Sequence, residues 1–147
     1  MDKARTEFLA GDRPEDVHIY LDERAVSNIE ALEAHGERLD DGIALVLEGE
    51  NARRIFQQTT GIDPMQLAQD AMGTDGDITP DCTDGSCPSC EASPRIIFAF
   101  AEAKNEDVGG MYAQGPVIHA YAACECGARY SNKWVATERT VGKQTGR

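Results

Sequence analysis

The chain has 147 residues, of which 26 are acidic and 14 basic, giving a formal net charge of -12 at pH 7. Its 41% hydrophobic content supports the core of one domain, or of one domain with a small appended module, and no apolar run approaches the ~20 residues of a bilayer span. Acids spread along the whole chain, with lysine only at Lys3, Lys104, Lys133 and Lys143, disfavour generic affinity for duplex nucleic acid, which needs clustered Lys and Arg.

Residues 1–10 mix Asp2, Lys3, Arg5 and Glu7 and contain no apolar h-region, so they do not read as a secretory signal. The expectation is a soluble cytoplasmic protein with no membrane association. Val17-His18-Ile19-Tyr20-Leu21 is a short β-rich run after Pro14 and predicts a strand. From Asp22 to Leu39, apolar residues at Val26, Ile29, Leu32 and Leu39 suggest an amphipathic helix, ended near Gly36. Asp40-Asp41-Gly42 is a turn, and Ile43 to Leu47 is a continuous apolar run that predicts a buried strand. Asn51 is placed to cap a helix through Thr59, with Ile55 and Phe56 facing the core and Gly61 ending it. Asp63 and Pro64 start another helix as N-cap and first residue, with Met65, Leu67, Ala68, Ala71 and Met72 on its apolar side.

Residues 73–94 change character: Gly, Asp, Thr, Ser and Pro dominate, with three cysteines and almost nothing to bury. So long a bare loop is unusual inside a compact domain. The remainder is β-rich. Strands are expected over residues 95–103, 116–123 and 128–137, with polar turns over 105–110 and 124–127 and a frayed tail from Glu138. In the second of these strands Val117, His119 and Tyr121 share one face and Ile118 the other.

Five cysteines in a cytosolic chain favour metal or redox chemistry over disulfides. Cys87 and Cys90 form a C-x2-C pair stiffened by Pro88. After 33 residues comes Cys124-Glu125-Cys126-Gly127, where Gly127 is free to take positive φ. Two such turns can aim four thiolates at one tetrahedral zinc, with bonds near ~2.3 Å. Cys82 stands apart in an acidic loop and is an alternative ligand, as is His119, five residues before Cys124. An iron–sulfur cluster also accepts four cysteines. A redox pair would need only Cys87 and Cys90 at a helix N-terminus, but Pro94 and a strand follow them. The blandest reading is a set of unligated thiols.

The residues Cys87-Pro88-Ser89-Cys90 and Cys124-Glu125-Cys126-Gly127, each followed by β structure, resemble the zinc-ribbon group over about the last 60 residues. That resemblance implies a structural zinc beside a partner-binding sheet. The second pair is one residue shorter than the usual C-x2-C, and Glu91 stands where a glycine often follows. The chain as a whole also resembles a small uncharacterised domain family of halophilic archaea, in residues 44–71, in its cysteine pattern and in its acidic, lysine-poor composition. The resemblance implies a habitat and no mechanism. At molar salt the Debye length is only ~3 Å, so a high surface charge costs little; the competing account of the acidity is a basic partner.

Catalytic signatures are missing: His18, His35 and His119 are scattered, and neither an H-E-x-x-H helix, a deaminase pattern nor a phosphate-binding glycine loop occurs. Asp75, Asp77, Asp81 and Asp84 lack the glycine and terminal glutamate of a calcium loop and read as a solvated acidic stretch. Phe98, Phe100, Tyr112, Tyr121, Tyr130 and Trp134, near Arg95, Arg129, Lys133 and Arg139, read first as core and second as a stacking platform for single-stranded nucleic acid. The expected fold is α+β, with an N-terminal α/β part (residues 1–79) packed with a C-terminal antiparallel sheet carrying a zinc-ribbon-like site (residues 80–147). The expected function is a non-enzymatic zinc-binding adaptor or regulatory protein that contacts another protein. The alternative is a nucleic-acid or ribosome-associated module.

Overall fold

A computed structural model describes residues 2–136. In chain order its elements are α1 (Lys3–Leu9), β1 (Asp16–Asp22), β2 (Gly36–Arg38), β3 (Gly42–Glu48), α2 (Gly49–Thr60), α3 (Pro64–Ala71), β4 (Asp77–Ile78), β5 (Gly85–Ser86), β6 (Ile96–Glu102), β7 (Val117–Ala123) and β8 (Arg129–Val135). The fold is α+β. Six strands form one antiparallel sheet in the order β2-β3-β1-β6-β7-β8, and β4 pairs with β5 in a small hairpin. The tail from Glu138 lies outside the described residues.

Both faces of the sheet are covered, which explains why its central strands β1, β3 and β6 read as apolar runs and not as strict alternation. On one face α2, α3 and two 3-10 turns bury Ile19, Leu21, Ile43, Leu45, Phe56 and Leu67. On the other, α1 and the segment 73–94 bury Phe8, Tyr20, Ile97, Ile118, Tyr130 and Trp134. Strand β1 places Val17, Ile19 and Leu21 on the first face and Tyr20 on the second, between β3 and β6.

Three expectations are corrected, and one helix was not anticipated. The helix over residues 22–39 does not form: Asp22 ends β1 and caps a 3-10 turn at Glu23–Ala25, Val26 is extended, a second turn spans Ile29–Leu32, and β2 follows. Apolar residues spaced by three fit a 3-10 period of 3.0 as well as an α-helix, and Glu33 and Gly36 supply no apolar residue to continue an α stripe. Helix α2 begins at Gly49 and is capped by Glu48, whose carboxylate accepts from the Asn51 N–H, so Asn51 lies inside the helix. On α3 the buried residues are Pro64, Leu67 and Ala71, while Met65 and Met72 are 56% and 65% exposed. Residues 3–9 form a helix that their charged composition hid, with Asp2 as N-cap and Arg5, Phe8 and Leu9 buried.

Segment 73–94 is also more than a bare loop. Ile78, Cys82 and Cys87 are buried, and Thr74 to Gly76 bond to Ser131 at the edge of β8. A Cβ on Gly76 would fall 2.2 Å from the Tyr130 ring, so only glycine lets the segment lie this close.

Candidate metal centre

Two turns bring the cysteines together. The first follows β5 and carries Cys87 and Cys90; the second joins β7 to β8 and carries Cys124 and Cys126. Their backbones match. The Cys87 N–H donates to the Ala92 carbonyl and the Cys124 N–H to the Ala128 carbonyl, while Glu91 and Gly127 donate back to the carbonyls of Cys87 and Cys124. Each turn closes on a residue of positive φ: Gly127 at 96° and Glu91 at 67°. The shorter second pair and the missing glycine of the first therefore leave both turns closed by the same backbone bonds. The glutamate carries a left-handed backbone that costs a non-glycine residue about 1–2 kcal/mol. Glu91→Gly should relieve it and raise the thermal midpoint by roughly 2–4 °C, after the extra entropy of the unfolded glycine is deducted. A midpoint that is unchanged or lower in thermal unfolding refutes this account of the turn.

The four sulfurs lie within 4.8 Å of one another. Cys87 and Cys126 sulfurs are 3.7 Å apart and those of Cys90 and Cys124 3.4 Å apart. Four bonds of ~2.3 Å in a tetrahedron would set sulfurs ~3.8 Å apart, whereas a disulfide needs ~2.05 Å. The donor set and its spacing fit a single tetrahedral metal ion. Cys87 and Cys124 are buried; Cys90 and Cys126 are exposed. Burial resists ionisation of the Cys87 thiol, but backbone N–H groups of Ser89 and Cys90 outweigh it and bring the thiol down. At Cys90 the Ala92 N–H favours the thiolate, yet the neighbouring sulfur of Cys124, burial and the sulfurs of Cys126 and Cys87 push it up. Four sulfurs this close do not all ionise without a compensating cation.

Cys82 is not in this group. It sits at φ 61°, fully buried in the core cluster that also holds Phe8 and Leu9 of α1. His119 also lies elsewhere: its Nε2 is 2.9 Å from Glu102 Oε1, and its ring stacks between Phe100 and Tyr112. Asp75, Asp77, Asp81 and Asp84 do not converge; among the described residues the four cysteines form the one group of three or more ligand atoms that do. Sequence reasoning missed two supporting residues. Arg95 pairs with Glu125 across the two turns. Tyr130 is fully buried, and its hydroxyl has no hydrogen-bond partner among the described residues. It packs in the same core cluster as Cys87 and Cys124, and burial and then the sulfurs of those two residues raise its pKa. The signal for Arg95 was its position directly after Pro94; nothing local marked Tyr130.

The chain matches a known family over most of its length. DUF5807, described as a family of unknown function, matches residues 36–137. The chain belongs to DUF5807. The DUF5807 match includes all four clustered cysteines and five of the six sheet strands. Strand β1, which completes the sheet between β3 and β6, precedes it. No curated protein and no solved structure shows significant similarity to this DUF5807 chain.

Proposed function

We infer that the chain is a non-enzymatic adaptor or regulatory protein, built around one structural zinc held by Cys87, Cys90, Cys124 and Cys126 in a zinc-ribbon-like pair of knuckles. The observation that carries this reading is the four-sulfur cluster. Zinc is preferred because four thiolates at tetrahedral spacing, two of them buried, make a closed coordination shell with no position left for a substrate. Its working place is the cytoplasm, where thiols stay reduced. The acidic, lysine-poor composition suits a high-salt cytosol.

Partner contact is assigned to the opposite face. A groove of about 570 Å³ runs between α2 and α3, with Phe98, Phe100 and Tyr121 beneath it and Met65 and Met72 on its wall. Glu48, Glu50 and Arg53 line its edge. Flexible methionines over aromatic rings suit an amphipathic helix, and the excess of carboxylates favours one with basic residues beside its apolar stripe. Met65→Glu with Met72→Glu should change stability by no more than about 0.5 kcal/mol, because both side chains are exposed. The double variant should lose a protein that the parent chain recovers on affinity purification from its own cells. Recovery of the same proteins by both forms, or of none by the parent, removes the adaptor reading while leaving the metal centre standing.

The nucleic-acid alternative has less support. Phe98, Tyr121, Tyr130 and Trp134 are buried. Arg95 is paired with Glu125 and Arg129 with Asp70, and Lys133 lies over the Tyr112 ring. Arg139 lies outside the described residues. No helix among the described residues is long and apolar enough to cross a membrane.

A further inference from the structure

A second site lies away from both the cysteines and the methionine groove. A polar cavity of about 450 Å³ opens where the end of β1, the β2–β3 turn and the segment 81–94 meet. That size suits a small ligand, for which ~300–1,000 Å³ is usual. Tyr20 forms part of its wall. The residue is only 4% exposed, and its hydroxyl makes no hydrogen bond among the described residues. After burial, the groups that act on this hydroxyl are Asp22, Asp41, Asp84 and Arg24, and every one of them lines the cavity. The hydroxyl lies against Gly42, next to Asp40 and Asp41 of the β2–β3 turn in the cavity wall: a Cβ on Gly42 would fall 2.8 Å from it. Burial with the nearby carboxylates pushes it up to about 12, so it stays a neutral phenol.

The charged groups left open in the walls are of one kind. The donors are largely committed. Arg5 gives Nε to His18, and its other two nitrogens to Glu37 and the Asp81 carbonyl. Arg24 is held on Asp22 by two nitrogens. Arg38 reaches the carbonyls of Leu39 and Gly42 and the Glu23 carboxylate. The acceptors are open. The carboxylates of Asp40 and Asp41 accept no hydrogen bond among the described residues, and Asp84 accepts only from the Gly85 N–H. Five aspartates face three arginines, so the walls carry net negative charge. These carboxylates do not gather within reach of one ion, since the cysteine cluster is the one such group among the described residues. Separated acceptors of net negative charge match an organic cation with several N–H donors better than a bare metal ion.

We propose that this cavity binds an alkylammonium group, with the Tyr20 hydroxyl accepting one N–H and Asp41 and Asp84 balancing the charge. The group could come from a free polyamine or from a lysine side chain of another protein. Titration calorimetry on the purified full chain tests the site with spermidine and with Nα-acetyl-lysine amide, and with magnesium at equal ionic strength as control. The expected result is saturable one-site binding of spermidine, of the lysine amide or of both, and none of magnesium. Binding of spermidine alone assigns the site to free polyamines; binding of the lysine amide assigns it to protein side chains as well. Asp41→Asn should weaken binding at least about tenfold, as loss of a charge-assisted bond does. Tyr20→Phe should weaken it several-fold, and Glu106→Gln, remote and exposed, should leave it unchanged. Circular dichroism should show all three variants folded. Titrations that do not saturate, that magnesium reproduces, or that Asp41→Asn and Tyr20→Phe leave unchanged overturn the proposal, and the binding is then diffuse attraction to an acidic surface. The zinc content of the same samples is scored separately, because this site uses none of the cysteines.

Discussion

Cys90→Ser or Cys124→Ser should strip the metal from the protein and open the face covered by residues 73–94, while the opposite face holds. Ordering that segment costs roughly 1–2 kcal/mol per residue in backbone entropy. Against this it buries few large apolar groups, chiefly Ile78, with Cys82 and Cys87. A structural zinc contributes on the order of 10 kcal/mol in small domains, which offsets a large part of the deficit. The second core cluster, around Ile19, Phe56 and Leu67, involves none of the cysteines. Hydrogen exchange should therefore rise sharply over residues 73–94 and the β7–β8 turn and stay slow in β1 and β3. Chelation of the parent protein should give the same map. Cys82→Ala should keep one equivalent of metal, because Cys82 packs in the core and stands outside the cluster. Protein purified without added zinc that carries no transition metal, with all its thiols titrating freely in the folded state, would show the metal reading to be wrong.

Acid should destabilise the protein from well above the carboxylate range, and His18 is the cause. Its ring is fully buried, and Arg5 Nε donates to its Nε2 at 3.0 Å, so the ring's proton sits on Nδ1. Burial and then the Arg5 charge lower its pKa to about 3 from an ordinary 6.5. The folded pKa is depressed, so the unfolded chain binds a proton first. Stability is whole above ~6.5 and falls by ~1.4 kcal/mol per pH unit as the pH drops toward the folded value. Between pH ~6.5 and ~4.5 the loss is ~2 kcal/mol, a large share of the 5–15 kcal/mol typical of a whole domain. Asp22, Glu37 and Asp81 also have lowered values. Arg24 holds Asp22 down and the Asp2 N–H holds Glu37 down, while at Asp81 the Thr79 and Thr83 bonds outweigh burial. Their losses begin only below the ordinary carboxylate values, at more acid pH. Metal binding by thiolates is itself pH-linked, so the diagnostic is a comparison. His18→Gln keeps an acceptor for Arg5 without a titrating ring. Denaturant unfolding at a series of pH values should give a flatter profile for the variant above pH ~4.5. Parallel profiles for the two proteins would remove His18 from the account.

Some elements declare themselves locally and others do not. The strands at Val17–Leu21, Ile43–Leu47 and Ile96–Phe100 show as β-rich apolar runs because both faces of the sheet are buried; the one polar residue in them, His18, is buried with Arg5 as its hydrogen-bond donor. Helix α3 shows through Asp63 and Pro64, whose cap chemistry is complete within three residues. The cysteine turns show through their spacing, because a turn of one or two intervening residues is a local device. By contrast, α1 is short and charged, and its burial depends on Arg5 finding His18, Glu37 and the Asp81 carbonyl, partners 13, 32 and 76 residues away. The 3-10 path after Asp22 was hidden because a spacing of three serves two helical periods.

Composition, cap residues and cysteine spacing were enough to determine an acidic α+β chain with two thiolate-bearing turns in its C-terminal half. The tertiary structure alone decided that those turns meet with sulfurs 3.4 and 3.7 Å apart, that Cys82 and His119 stay outside, and that Glu91 does the work of a glycine. It also decided that the segment 73–94 closes one face of the sheet and that the methionines of α3 line a groove on the other. The division has a physical reason. A cap or a knuckle is stabilised by atoms a few residues apart, which a sequence displays in order. A cluster, a cavity or a covered face is stabilised by atoms brought together across the sheet, and those neighbours are set only when strand order and register are.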